Sequence, residues 1–330
     1  MSATVRDVAK LAGVSVATVS KYMNGGNLRE DYRERVEKAV HDLDYSINEV
    51  ARYLKTNKTF LIGVLVPSIT SSFLTDIISS IQKYLMENGY TALVLDYQKS
   101  HSVEMRQLDV LLSWNVDGII LFPGFHETDI IEKIKRQQIP LLLIDNLLEG
   151  VDCDAVVINN YESSYSAVEK LISSGHKSIG LIAGPSETYS ASERRRGFLE
   201  AVAAHGVTAI EANGKYTIDG GYNATKELMQ VSEHPTALLS SNYHMTIGML
   251  RALGEMNLKI PEDVSVITFD EQEFDFALPT PITAIVQPVE EISRAATKLI
   301  LSKIGGTGGS NSHIEVLDTQ CKLTDSVKQI

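Results

Sequence analysis

Cysteine is scarce in this chain: only Cys153 and Cys321 occur in 330 residues, far apart and in no CxxC spacing. That excludes a disulfide scaffold and a structural zinc module, and it suits a reducing compartment. Long hydrophobic runs are missing too. No stretch of about 18 uncharged apolar residues occurs, so no segment reads as a membrane span. The opening MSATVRDVAKLAGVS has neither an apolar core nor a small-residue cleavage site, which argues against an export signal and predicts a cytoplasmic location. With 44% hydrophobic and 22% charged residues and only nine prolines, the composition is that of a globular protein, neither disordered nor fibrous. The length suits two domains, or one with an appendage.

Positive charge is short overall, with 30 Lys and Arg against 42 Asp and Glu and a formal net charge of -12. Taken alone, this argues against a nucleic-acid partner, because neutralising phosphates needs cations. The deficit is uneven. Residues 1–60 hold ten Lys or Arg against eight Asp or Glu, while the remaining 270 hold 20 against 34. An acidic body with a mildly basic head is compatible with a DNA binder whose body does something else.

The head reads as three short helices. Thr4 followed by Asp7 makes a capping pattern, and Val5, Val8, Ala9 and Ala12 then recur at helical spacing. Gly13 ends this helix, Val14 is a buried link, and Ser15 caps a second helix with Val19 and Met23 on its apolar side. Asn24-Gly25-Gly26 stops it. A third helix spans about Asp31 to Leu43, with Tyr32, Val36, Ala39 and Leu43 on one face. Two helices joined by a short Gly-containing turn form a helix-turn-helix, which lays its second helix in a DNA major groove. A small helical cap docked on an enzyme would show the same periodicity.

The residues themselves separate the two. TVRDVAKLAGVSVATVSKYMNGG (residues 4–26) resembles the opening of the LacI/GalR family of bacterial transcription regulators, and Asn48-Glu49-Val50-Ala51-Arg52-Tyr53-Leu54-Lys55 resembles its hinge helix. The resemblance continues more loosely through Ile62-Gly63-Val64, Asp117-Gly118-Ile119-Ile120, Gly175-His176-Lys177-Ser178-Ile179, Arg194-Arg195-Arg196-Gly197-Phe198 and Phe269-Asp270. It implies that Val16, Ala17 and Lys21 read bases. Val16 and Ala17 offer only apolar contact, for instance with a thymine methyl, whereas Lys21 can donate to guanine O6 or N7. Thr4, Ser15, Thr18, Ser20 and Asn24 suit phosphate contacts or caps, which set register without specifying sequence. In the polar stretch 44–60, a segment too short to hold a helix alone in water is expected to fold on DNA. The resemblance makes Leu54, with Ala51 on the same face and Asn48 and Lys55 beside them, the wedge that enters the minor groove and kinks the duplex. Ile47 stands where the family usually has proline, which leaves the hinge entry less rigidly set.

From Phe60 onward short apolar runs alternate with helical patterns. Strands are expected at 61–66, 92–95, 118–122, 141–144, 155–158, 178–183, 237–240 and 264–269, and such alternation implies parallel sheets covered on both faces. Two doubly wound α/β lobes with a cleft between them account for the length. The resemblance supplies the same architecture, a periplasmic-binding-protein-like body whose chain crosses between lobes three times, near Asn160, Pro288 and Gln320. The expected domains are a helix-turn-helix at 1–47, a hinge helix and linker at 48–60, and an effector-binding and dimerisation body at 61–330. Within the body, one lobe takes about 61–160 plus 289–319 and the other about 161–288 plus 320–330. The glycine-rich run 305–310 follows a helix and lacks phosphate-loop spacing, so it reads as a loop.

Asp145, Asn242 and Asp270 each follow an expected strand, which places polar groups at strand carboxyl ends where such sheets bind ligands. Asp145 and Asn242 could equally cap the helices that follow. Carboxylates, amides and an arginine fork suit hydroxyl-rich ligands. The resemblance makes Arg194 and Asp270 effector-binding residues and puts Phe73, Phe122 and Tyr216 on the pocket wall. Tyr243-His244 stands where the family often has Asn-Asp, which makes His244 a point of departure in the same pocket. Trp114 is expected in the core. His126, His176, His205 and His234 have no metal-like spacing and are read as surface or structural.

The expectation is therefore a homodimeric regulator, most simply a repressor, that binds pseudo-palindromic operator DNA under control of a small-molecule effector, a sugar or sugar derivative. The alternatives are a purine-like effector or a protein coactivator. An enzyme on the same scaffold would have only Asp145 and Asp270 as catalytic candidates, since no nucleotide fingerprint, nucleophile elbow or metal cluster appears. No cofactor is expected. The final CKLTDSVKQI lacks leucine heptads, which favours a dimer over a tetramer.

Overall fold

The computed structural model describes residues 3–23, 26–45, 58–124, 128–271, 274–307, 309 and 311–330. The expectations for Asn24, Asn48, Ala51, Leu54, Lys55 and His126 lie outside them. The chain divides into two compact units, Met1–Thr59 and Phe60–Ile330.

In the first unit, α1 (Val5–Ala12), α2 (Val16–Met23) and α3 (Glu30–Asp42) enclose a small core of Val8, Ala9, Ala12, Val19, Val36 and Ala39. Thr4 and Asp7 form the capping box expected of them: Asp7 N donates to Thr4 Oγ1 at 3.4 Å and Thr4 N donates to Asp7 Oδ2 at 2.9 Å. Gly13 adopts φ 63° and ends α1 with its N–H on Ala9 and Lys10 carbonyls, a left-handed cap that glycine takes at little cost. The Gly13 carbonyl accepts from Arg35 Nη2 at 2.9 Å, which ties α3 across the turn.

The second unit holds two sheets of six strands. The first runs β11-β5-β4-β3-β1-β2 and comprises β1 (Leu61–Val66), β2 (Thr91–Asp96), β3 (Gly118–Leu121), β4 (Leu141–Ile144), β5 (Asp154–Ile158) and β11 (Ile314–Leu317). The second runs β12-β10-β9-β8-β6-β7, with β6 (Ser178–Ala183), β7 (Thr208–Asn213), β8 (Ala237–Ser240), β9 (Ser265–Phe269), β10 (Thr283–Val286) and β12 (Gln320–Lys322). All pairings are parallel except β10 with β12. The two orders match strand for strand. The chain leaves the first sheet after β5, returns after β10, and enters the second sheet again at β12.

Parallel strands buried on both faces need apolar side chains pointing both ways, and β1 shows it. Ile62, Val64 and Val66 join Ile77 and Ile81 of α4 (Ser72–Glu87) and Ile292 and Ile300 of α11 (Val289–Ile304). On the opposite face Leu65 joins Leu108 and Leu111 of α5 (His101–Ser113) and Ile130 and Ile134 of α6 (Asp129–Arg136). The second sheet is covered by α7 (Asn160–Ser173) and α8 (Tyr189–His205) on one side and by α9 (Ile218–Met229) and α10 (Tyr243–Glu255) on the other.

Eight strands lie within a residue or so of their expected positions, but β7, β10, β11 and β12 were not anticipated. Three of these are polar or exposed at a sheet edge and carry no apolar run. Trp114 departs from expectation as well: it is 55% exposed. Helix α5 ends at Ser113, and the turn through Trp114 to Asn115, at φ 50°, carries the indole off the buried stripe of Leu108 and Leu111. His176 is buried, its Nδ1 2.8 Å from Thr236 Oγ1, a structural placement. Among the described residues no helix is long and apolar enough to cross a membrane, and no group of three His, Cys, Asp or Glu is arranged to hold a metal.

Candidate functional site

Two surfaces collect the residues singled out from the sequence. On α2 of the first unit, Val16, Ala17 and Lys21 are all exposed. Val16 is 44% exposed, so its side chain is available at the surface of α2 together with those of Ala17 and Lys21. Ser15 caps the helix, its Oγ accepting from Thr18 N at 3.1 Å and lying 2.9 Å from Thr18 Oγ1. Thr4 Oγ1 donates to Asp7 Oδ2 at 2.6 Å, so its hydroxyl is committed to the α1 cap. Ser20 is half-buried beside Val19.

The second surface is a cleft between the two sheets of the body, a cavity of about 230 Å³. It opens at the carboxyl ends of β1 and β3 in one sheet and of β6 and β8 in the other, where strand order reverses. Asp145, Asn242 and Asp270, the three strand-end residues, all line it. So do Phe73, Phe122 and Tyr216, and Arg194 and His244 complete the set, with all eight marked residues on one cavity.

The matched sheet orders build a matched pair of aspartates. Asp145 follows β4 at φ 72° with its N–H on Val156 O at 3.1 Å; Asp270 follows β9 at φ 69° with its N–H on Ile285 O at 3.0 Å. Aspartate tolerates this left-handed backbone better than most residues. Burial pushes the Asp145 carboxyl up to about 6, with Asp270 adding to the rise and Arg194 opposing it. The Asp270 carboxylate accepts from Gln287 Nε2 at 2.6 Å and from Tyr243 N at 3.2 Å.

Arg194 is the buried member of its arginine run. Its Nε donates to Asn160 Oδ1 at 2.7 Å, its Nη1 donates to Ser241 O at 2.6 Å, and its guanidinium lies 4.0 Å from the Phe269 ring centroid. Arg195 and Arg196 turn outward to Glu211 and Glu193. Asn242 does cap α10, accepting from Met245 N at 2.9 Å, and lines the cleft as well. Asp145 caps no helix. Burial and nearby Lys99 push the His244 imidazole below its ordinary range, and its contact with the Thr70 backbone spans the lobes. A second bridge runs from Ser190 N to Asn146 Oδ1 at 3.0 Å.

Several cleft residues escaped the sequence reading. Tyr97, whose hydroxyl donates to Phe122 O at 2.7 Å, follows β2; Asn146 follows Asp145; Gln287 follows β10. The strand-end rule that found Asp145 finds Tyr97 once β2 is taken to its observed end at Asp96, and Gln287 once β10 is recognised. In chemical terms the cleft offers two carboxylates, one partly committed guanidinium and several aromatic faces, which suits a small polar molecule bearing hydroxyl or N–H donors.

Comparisons with known proteins match both parts of the chain. Residues 4–48 match the model for bacterial regulatory proteins of the lacI family, and residues 168–327 match the periplasmic binding protein-like domain. The HTH-type transcriptional repressor CytR of Escherichia coli strain K12 is 32% identical over 318 residues, covering 95% of this chain and 93% of its own length. The lac repressor dimer bound to operator and the anti-inducer ONPF superposes with a TM-score of 0.86 at 25% identity, covering 99% of this chain and 100% of that one. A complex of the transcriptional regulator CelR with cellobiose does so with a TM-score of 0.76 at 26% identity, covering 98% and 99%.

Proposed function

The chain belongs to the lacI family of bacterial regulatory proteins and is a DNA-binding transcriptional regulator under effector control, and from that premise we propose that a sugar or sugar derivative in the body's cleft sets its affinity for operator DNA. The observation that carries this reading is the convergence of eight residues marked in the sequence, with Asp145, Asp270 and Arg194 among them, on one cavity at the switch points of both sheets. Cellobiose in the solved CelR complex supports the choice of ligand class.

In this reading the regulator works as a cytoplasmic homodimer, like the lac repressor dimer on its operator, with one head on each half-site. Its domains are the head at 1–47, the hinge at 48–60 and the body at 61–330. Val16, Ala17 and Lys21 read bases, Thr4, Ser15, Thr18, Ser20 and Asn24 fix register, and Asn48, Ala51, Leu54 and Lys55 engage the minor groove. Ligand shifts the balance between lobe arrangements only as far as it binds one better than the other. The relatives are repressors, which supports a regulatory and non-catalytic role for the cleft carboxylates.

Fluorescence-anisotropy titration of promoter fragments from the source genome, at low and moderate salt and with a panel of neutral sugars and nucleobases, tests the proposal. Specific binding that weakens steeply with salt and moves with one sugar is the expected result. Sequence-blind binding that no sugar alters would overturn it, and a response to a nucleobase alone would replace the sugar with a purine-like effector.

A further inference from the structure

Away from the residues that line the cleft, a histidine is set between two carboxylates. His101 opens α5; its Nδ1 lies 3.2 Å from Glu104 Oε2 on the same helix, and its Nε2 lies 3.2 Å from Asp129 Oδ2 at the start of α6. Glu104 is buried, and a carboxylate placed there is costly unless it is paired. Ionised carboxylates only accept, so serving both takes a hydrogen on each ring nitrogen. A neutral ring supplies one and turns its other lone pair on an anion. Among the described residues, the other charged groups on the elements packed here are engaged elsewhere. Lys133 of α6 pairs with Asp109 of α5 at 2.5 Å, Glu132 pairs with Arg136 at 3.0 Å, and Asp96, at the end of β2, accepts from the Gln98 and Ile69 amides. Lys99 lines the cleft. Helices α5 and α6 are thus joined by two rungs, of which the lysine rung is permanent and the histidine rung titrates.

The histidine rung stands behind the cleft wall. Helix α5 begins just after Tyr97 and Lys99, and α6 follows Phe122, Pro123 and Gly124; all five line the cavity. Tyr97 Oη donates to Phe122 O at 2.7 Å and joins the two connections at the cavity itself. Burial and the charge of Glu104 push the Tyr97 phenol up, so the cluster acts directly on that wall residue. We propose that His101 is a proton-operated clamp that joins the same two connections from behind, so that its protonation firms the first lobe's wall and raises effector affinity as pH falls through the imidazole range. This rests on the effector-binding reading of the cleft above. A wall already ordered gives up less freedom when ligand binds, which is how the clamp acts on affinity. The sign follows from the acceptors. Because the clamped form holds the extra proton, its stabilisation is present below the ordinary histidine value of about 6.5 and is lost as pH rises above it.

The test uses the full chain and two readouts. The first is thermal unfolding of the ligand-free protein at about pH 6 and about pH 9, for wild type, for His101→Gln, which donates but does not titrate, and for Asp129→Asn, which removes one acceptor charge. Wild type should melt about 2–4 °C above His101→Gln at the lower pH, and the gap should close to within about 1 °C at the higher. The gap to Asp129→Asn should shrink in the same direction, which keeps the test decisive if His101→Gln does not fold. Gaps that are equal at both pH values would make His101 a purely structural contact and overturn the clamp. The second readout titrates, by calorimetry, whichever of D-ribose, D-glucose and cellobiose most raises the melting temperature. Wild type should bind it about threefold or more tightly than His101→Gln at about pH 6, with the two equal at about pH 9. A ratio that does not move with pH would overturn the link between clamp and effector. Failure of all three sugars to bind wild type at millimolar concentration would overturn the carbohydrate reading instead, and the melting gaps would decide the clamp by themselves.

Discussion

Asp145→Asn should make the ligand-free protein more stable above neutral pH, although it removes a charged group beside an arginine. In the folded chain the Asp145 carboxyl titrates at about 6, against 3.8 for an unperturbed aspartate, because burial disfavours the anion and Asp270 adds repulsion that Arg194 only partly offsets. A folded pKa above the unfolded one means that the native state binds the proton more tightly. The contribution to stability is then present in acid and is lost as pH rises from the unfolded value through the folded one. About two pKa units at about 1.4 kcal/mol each amount to about 3 kcal/mol lost by pH 8, roughly half of it already gone at pH 5. Asparagine has the same shape and never ionises, and Asn146, whose Nδ2 lies 2.9 Å from Asp145 Oδ2, can still donate to its oxygen. Guanidinium unfolding followed by far-UV circular dichroism should therefore show the variant's advantage over wild type widening by about 1.5 kcal/mol between pH 5 and pH 8. A gap that stays constant across this range, or a variant less stable than wild type at pH 8, would refute the assignment of a raised pKa to Asp145 and with it the reading of a carboxyl desolvated in the cleft wall.

Three further outcomes follow from named contacts. Lys21→Ala should relax discrimination at one operator position by about 1–3 kcal/mol in a binding series over single-base substitutions, whereas a uniform loss across all sequences would make Lys21 a phosphate contact instead. A Cβ at Gly248 would run into the Ile218 carbonyl and the Tyr222 backbone where α9 crosses α10. Gly248→Ala should accordingly cost about 1–3 kcal/mol and lower the melting temperature of the body, and an unchanged melting curve would show that the two helices are less closely packed than this. Thr4→Ala removes the side chain that accepts from Asp7 N and should destabilise the head by about 0.5–2 kcal/mol, seen as a lower-temperature melt of the isolated helical signal; Thr4→Ser should restore it.

The head was almost wholly legible because its determinants are local. Caps at Thr4 and Ser15, a left-handed stop at Gly13 and apolar residues at helical spacing act within a few positions of one another, so α1 and α2 could be written from the sequence. In the body the central strands were legible for a different reason. A strand buried on both faces must be apolar throughout, and such runs stand out in an acidic chain. The edge strands escaped because one side of each faces solvent: Thr208–Asn213 reads TAIEAN, and Gln320–Lys322 is exposed along its length. Losing β10 from the list also hid Gln287, although its position after a strand obeys the same rule as Asp145. Trp114 was misplaced because periodicity extends a buried stripe past the point where a helix stops, and the turn at Asn115 is what stops it.

Taken by itself, the order of residues determined the helix-turn-helix, the alternation of strands and helices, and the polar groups at strand ends, all of which depend on neighbours in the chain or on the bare need to bury apolar surface. Which of those polar groups meet was decided only in three dimensions. Asp145 and Asp270 are 125 positions apart, and they face one cleft because two sheets of the same strand order oppose their carboxyl ends. The raised Asp145 carboxyl, the committed nitrogens of Arg194 and the Gln287 amide turned to Asp270 are properties of that meeting. Desolvation and the approach of like charges depend on what surrounds a group, and a sequence names the group without its surroundings.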